Sequence, residues 1–252
     1  QELARLPTMA LIRFLSAAAR LDLLEGHSKD VLEIVDRVLA ETTPQRPLPL
    51  ESSVVLLDSL LLSGTVLHDR QLRHVLAWIA GTRVQQLTQQ QLGVLRQYSL
   101  FLLSQPDLHV QGSLLRLPIE VQRFVSGLLR HRAAHWSPAI SDTARQFREQ
   151  AAEAWRLESG EEAQPLTLGP AGTVDLHCGT RCWLLDGPEA FFRPFSGTLR
   201  HTPKERWRAH VLERLLMEED ARRSVADFFP AAATDWPVVS ELRRVDWLEW
   251  GR

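Results

Sequence analysis

One carboxylate in this sequence stands where chemistry could happen. The stretch Arg181-Cys-Trp-Leu-Leu-Asp-Gly-Pro-Glu-Ala-Phe-Phe-Arg193 runs apolar and then stops at Asp186-Gly187-Pro188. A strand that delivers an aspartate to its own end can use it in two ways. Asp-Gly-Pro is turn chemistry: Asp bonds nearby backbone, Gly takes a φ that other residues avoid, and Pro fixes the exit. Alternatively, Asp186 is a ligand for Mg²⁺ and the one catalytic candidate of the chain, in metal-assisted phosphodiester hydrolysis. A single carboxylate holds Mg²⁺ poorly. The position two residues earlier, on the same face of the strand, is Leu184 and not a second acid. Glu189, Asp175 and Lys204 are the substitutes on offer, and no Glu-x-Lys follows on a strand. The turn reading is therefore preferred, with no metal and no cofactor.

Cations gather just after this corner: Arg193, Arg200, Lys204, Arg206 and Arg208. Such a group suits phosphate oxygens. The alternative is a solvated helix face paired with Glu205 and Glu213. Trp183, Trp207, Trp236, Trp247 and Trp250 follow the same region and can fill a small core or stack on bases. Trp250, in a polar context, is expected to be exposed. The nucleic-acid-binding candidates are Arg193, Arg200, Lys204, Arg208 and Trp250.

Other chemistry is thin. Cys178 and Cys182, beside His177, lack the second ligand pair of a zinc site and make no disulfide framework. His131 and His135 have helical spacing but no acidic third ligand, so they complement a helix C-terminus. There is no Gly-x-Ser-x-Gly, Walker loop, Gly-x-Gly-x-x-Gly or His-Glu-x-x-His. No small-molecule substrate is expected.

The bulk composition is that of a globular protein. The chain has 252 residues, 44% hydrophobic and 24% charged, with a net charge of −2. That balance excludes a polyanion binder working through its whole surface, but not a local basic face. Only Lys29 and Lys204 are lysines. No apolar run is long enough to cross a bilayer, so no membrane partner is expected. The chain opens on Gln-Glu-Leu as if inside a helix, which suggests an excerpt of a longer protein.

Elements must position these residues. Residues 1–157 read as seven amphipathic helices, starting near Leu3, Ser28, Glu51, Asp69, Thr88, Pro118 and Ser141. Thr88 and Gln91 have capping-box spacing. Helix pairs recur unevenly, as in a helical-repeat array or an ordinary bundle. The polar seventh helix is expected to lie on the surface. Residues 158–173 form a linker. Residues 174–252 read as a small α/β domain. Its strands begin at Val174, Arg181, Pro237 and Leu242, and its helix spans 201–216 with Thr202 as N-cap and Pro203 first.

Taken in order, the last elements resemble the RAP domain. The match lies in a strand into Asp186-Gly187-Pro188, then Phe191, then a helix with Leu199, Lys204, Arg208 and Leu212. Trp236-Pro-Val-Val239 and the closing Trp247-Leu-Glu-Trp250 complete it. The fold signature is thus Asp186, Gly187, Pro188, Phe191, Trp236, Trp247 and Trp250. Two departures stand out: Met217–Asp235 is inserted before the tryptophan strand, and Asp235 replaces the usual glycine.

The resemblance implies a PD-(D/E)xK nuclease-like fold following helical repeats, as in FAST kinase-like and octatricopeptide proteins. It implies a mitochondrial location and RNA as partner, either rRNA or mitochondrial mRNA. It also implies a place among other proteins of a ribonucleoprotein, in RNA processing, RNA stability or mitochondrial ribosome assembly, without catalysis. Two alternatives remain: an RNA endonuclease using Asp186 with Mg²⁺, for which a second carboxylate near Asp186 would be diagnostic, and a scaffold that binds proteins only.

Overall fold

The computed structural model describes residues 6–42, 47–105, 117–131, 141–192, 199–228 and 236–247. Its contacts divide the chain into two compact units, 1–133 and 134–252.

The first unit is helical. Among its described residues are α1 (Thr8–Arg20), α2 (Ser28–Ala40), α3 (Leu50–Ser63), α4 (Asp69–Ala80), α5 (Gln89–Leu103) and α6 (Ile119–Arg130). Each odd-numbered helix touches the even-numbered one that follows it. The odd helices also pack in the row α1–α3–α5, and the even ones in the row α2–α4–α6. The sequence explains this order. α1, α2, α4 and α6 each carry one apolar stripe, whereas α3 and the second half of α5 (Tyr98–Leu103) are buried nearly all round and occupy the interior. Leu56, Leu57, Leu60 and Leu61 of α3 and Leu95, Leu100, Leu102 and Leu103 of α5 are all buried. Serines within these helices satisfy their own hydroxyls. Ser59 Oγ donates to the Val55 carbonyl at 2.7 Å, and Ser99 Oγ donates to the Leu95 carbonyl at 2.8 Å.

Two helix ends in this unit follow the sequence signals, whereas α2 and α4 start at Ser28 and Asp69 with His27 and His68 in the cap positions. Thr88 and Gln91 form the reciprocal box at the start of α5, with bonds of 3.2 and 2.9 Å. Gly64 ends α3 in the left-handed conformation. Phe14 of α1, beside the buried Leu11 and Leu15, is 41% exposed.

The second unit starts earlier than the sequence suggests. α7 (Asp142–Ser159) is a surface helix, as its polarity predicts, with Ala144, Phe147 and Ala151 its buried residues, but it does not group with the helices before it. It lies within the second unit, where Phe147 and Ala151 share a core with Leu176, Trp183 and Leu185. Its stripe of small residues between charges looks too weak for burial until the sheet beneath is known. The supposed linker 158–173 likewise contains β1 (Gln164–Thr167). β2 (Thr173–Cys178) and β3 (Arg181–Asp186) form the expected hairpin, with Gly179 at φ 57° in its turn. β4 (Phe191–Phe192) and β5 (Arg200–His201) form a second, two-stranded sheet. α8 (Pro203–Met217) and α9 (Glu219–Phe228) follow, and then β6 (Glu241–Asp246). The main sheet has the order β1-β2-β3-β6, antiparallel except for the parallel pair β3–β6.

The Met217–Asp235 insert thus forms α9 in its described part, with Ala221, Val225 and Phe228 buried. Pro237 to Val239 form no strand. Trp236 and Val239 are buried there without ladder partners, and the strand begins at Glu241.

Candidate functional site

The parallel register of β3 and β6 builds the site. Asp186 stands directly opposite Asp246, and Leu184 opposite Arg244. Residues two apart on a strand share a face, so β3 and β6 together present Leu184, Asp186, Arg244 and Asp246 side by side. The antiparallel pairing of Phe191 with His201 brings in a third element, and the two rings lie 4.5 Å apart. His201 Nε2 then sits 3.1 Å from Asp186 Oδ2 and 3.2 Å from Asp246 Oδ1. Arg244 donates to Asp186 Oδ2 through Nε at 2.8 Å and approaches it through a terminal nitrogen at 2.7 Å.

Asp186 is 2% exposed. Burial pushes its carboxyl above the ordinary carboxylate range, while the Arg244 charge and hydrogen bond, and then His201, pull it back. Nearby, Asp175 of β2 is also buried. It pairs with Arg148 of α7 at 2.6 Å and with Arg208 of α8 at 3.5 Å. Arg208 also bonds Glu205 at 3.0 Å and the Thr173 carbonyl at 3.0 Å. Burial opposes the Arg208 charge, but Asp175 and Glu205 outweigh it and hold its pKa above the ordinary value.

The corner itself differs in its cause from the turn expected. Gly187 has φ −69°, which any residue adopts. Its lack of a side chain matters for space: a Cβ there would lie 3.0 Å from Glu189 Oε2 and 3.2 Å from the Ala144 Cβ of α7. Asp186 points its carboxylate at Arg244 and His201, and no bond from it to turn backbone is seen. Pro188 opens a single 3₁₀ turn, Pro188–Ala190, closed by the Ala190 N–H on the Gly187 carbonyl at 2.9 Å.

Of the residues singled out from sequence, Asp186, Gly187, Pro188 and Phe191 converge on this corner. Trp236 is buried and Trp247 is 40% exposed. Arg200 is exposed and Lys204 half-buried. Arg208, read as a phosphate contact, is instead turned inward onto Asp175 and Glu205. Arg193 and Trp250 lie outside the described residues. Of the substitutes considered for a second metal ligand, Asp175 is committed to the two arginines. Asp246 and His201 were not foreseen. Only their register and hairpin partners single them out, and those are non-local.

The trio can hold a divalent cation. Asp186, His201 and Asp246 each offer a ligand atom, all within 4.8 Å of one another. Metal–ligand bonds of about 2.0–2.2 Å place neighbouring donors roughly 3.0–3.4 Å apart. Both His201-to-carboxylate separations fall in that range. A cation bound through Asp186 Oδ2 would share that oxygen with Arg244 or displace it.

Comparison of the chain with protein-family models, with curated proteins and with solved structures found no match. Among the described residues no helix is long and apolar enough to cross a membrane.

Proposed function

We propose that this chain is an RNA-binding protein of a mitochondrial ribonucleoprotein, acting in RNA processing, RNA stability or mitochondrial ribosome assembly without catalysis of its own. One observation carries the choice of binding over cleavage. The strand-end carboxylate that a nuclease would offer to Mg²⁺ already has a cation in Arg244, supplied by the neighbouring strand. The frame supports the RAP resemblance. α7, β1, β2, β3, α8 and β6 occur in the order α–β–β–β–α–β, with the short β4–β5 pair before α8 and α9 after it, and Asp-Gly-Pro closes β3 beside its parallel partner. The two rows of helices in the first unit support a helical-repeat reading. Phosphates would be met by Arg200 of β5, Lys204 in the first turn of α8 and Arg193, and a base would stack on Trp250.

The test is UV crosslinking to RNA in native cells, comparing the intact chain with one ending at Ala133. That cut respects the boundary between the units, whereas a cut at Gly160 would leave α7 without its sheet. Crosslinks are expected to vanish on truncation. Crosslinks that persist would move RNA to the helical unit, and none in either form would leave a protein-binding scaffold.

One observation favours a second reading, a Mg²⁺-dependent RNA endonuclease. Asp246, in register with Asp186, is the second carboxylate such an enzyme needs. Incubation of structured RNA with the protein and Mg²⁺ or Mn²⁺ decides it. Cleavage that disappears in Asp246→Asn would establish the enzyme.

A further inference from the structure

Asp175 is not one of the trio, yet β2 buries its charge at 4% exposure. Its place in the sheet explains why. The pairing of β2 with β3 runs from Cys178↔Arg181 to Leu176↔Trp183 and stops there. The residues before Asp175, Thr173 and Val174, pair with β1. Beyond that point β3 continues along β6 alone. A buried backbone N–H on this stretch of β3 must find an acceptor other than a β2 carbonyl. The Leu185 N–H finds the carboxylate of Asp175, donating to Oδ2 at 3.0 Å.

That carboxylate is held from two helices. Arg148 of α7 pairs with Oδ1 at 2.6 Å, and Arg208 of α8 lies 3.5 Å from Oδ2. Arg208 is fixed in turn by the Thr173 carbonyl and Glu205, each at 3.0 Å. A charge-assisted bond is thus anchored at both ends and lands on the peptide group one residue before Asp186.

We propose that Asp175 is the positioning residue of the strand-end site. It substitutes for the missing ladder at Leu185, and so holds the end of β3 where Asp186 meets His201, Arg244 and Asp246. The inference rests on that cluster being the working corner of the unit, but its test contains no RNA. Failure here and failure of RNA binding are therefore separate results.

The experiment compares the full chain with Asp175→Asn and Asp175→Leu. Both variants remove the charge, but only Asn keeps an acceptor for the Leu185 N–H. The readout is hydrogen exchange of the Leu185 amide by NMR, with the amides of the β2–β3 hairpin as internal standard, and the ring-to-strand NOEs that report the Asp186–His201 approach. Loss of charge alone lowers protection across the unit and leaves the ratio of Leu185 to the hairpin amides the same in both variants. Loss of position frees the Leu185 amide and moves Asp186 from the ring it faces at 3.1 Å, in the Leu variant only. Relative to the hairpin amides, Leu185 is expected to exchange at least about tenfold faster in the Leu variant than in the Asn variant. An equal ratio in the two variants, or one unchanged from wild type in both, would overturn the assignment. If Asp175→Leu does not fold, Asp175→Ser takes its place with the same expectation, since a hydroxyl on one carbon falls short of Leu185.

Discussion

Replacing Arg244 with Met tests the electrostatics of the corner most directly. The substitution keeps an unbranched stem but removes both nitrogens that lie 2.8 and 2.7 Å from Asp186 Oδ2. Stripping one partner from a fully buried ion pair costs about 3–5 kcal/mol. Two features reduce that here: the Arg244 side chain is 33% exposed, and His201 stays 3.1 Å from the stranded carboxylate. The expected loss is about 2 kcal/mol. Asp186→Asn is expected to cost less, about 1 kcal/mol, because the arginine left behind can turn to water. In the double variant neither charge is stranded, so the two losses do not add. A coupling of about 1–2 kcal/mol is expected. Urea unfolding at neutral pH, followed by tryptophan fluorescence, measures it. The signal is well placed, because of the eight tryptophans only Trp78 precedes the second unit. A two-unit chain has no single unfolding free energy, so the transition of the second unit is fitted alone. A coupling below about 0.3 kcal/mol, within the error of independent sites, would refute the ion-paired corner.

Three further outcomes follow from single positions. Tyr98 is buried and its hydroxyl has no partner among the described residues, so Tyr98→Phe is expected to leave the first unit unchanged or raise its stability by up to about 1 kcal/mol; a loss larger than that by circular dichroism would mean that the hydroxyl is bonded. Gly187→Ala must push against the Ala144 Cβ at 3.2 Å, where α7 cannot yield as the flexible Glu189 can; a destabilisation of about 1–3 kcal/mol is expected, and a neutral result would show that the corner has room. The third concerns pH. Asp186 has a raised folded-state pKa, so between its ordinary and its raised value the folded chain binds more protons than the unfolded chain. Its contribution therefore grows as pH falls through that window and is lost as pH rises. The melting temperature of wild type is expected to gain on that of Asp186→Asn from neutral pH down to about 4, and a difference flat with pH contradicts the raised carboxyl.

What was legible in the sequence was local. Thr88 and Gln91, Thr202 and Pro203, and the hairpin around Gly179 announce themselves by spacing, because each is decided within a few residues. Asp186 stood out because an apolar run ends on it. Its role was still misread: turn chemistry is a local explanation, whereas the carboxylate answers to a residue 58 positions away. Asp246 gave no signal in Leu242-Arg-Arg-Val-Asp246, since an acid at the end of a polar strand looks ordinary until the register places it beside another. α7 misled for a related reason. Ala144, Phe147 and Ala151 make a narrow stripe, sufficient against a sheet that brings Trp183 and Leu185, and insufficient alone.

The parallel pairing of β3 with β6 also sets an order of events. α8 and α9 lie between the two strands, so the β2–β3 hairpin can close quickly while its last partner is still distant along the chain. Until β6 docks, Asp186 has neither Arg244 nor Asp246, and the open side of β3 offers unpaired backbone. During synthesis that interval lasts at least as long as the ribosome takes to deliver the residues from Gly187 to Asp246. The second unit thus emerges with an exposed strand edge and an uncompensated charge, the state in which a chaperone or an assembly partner would find it.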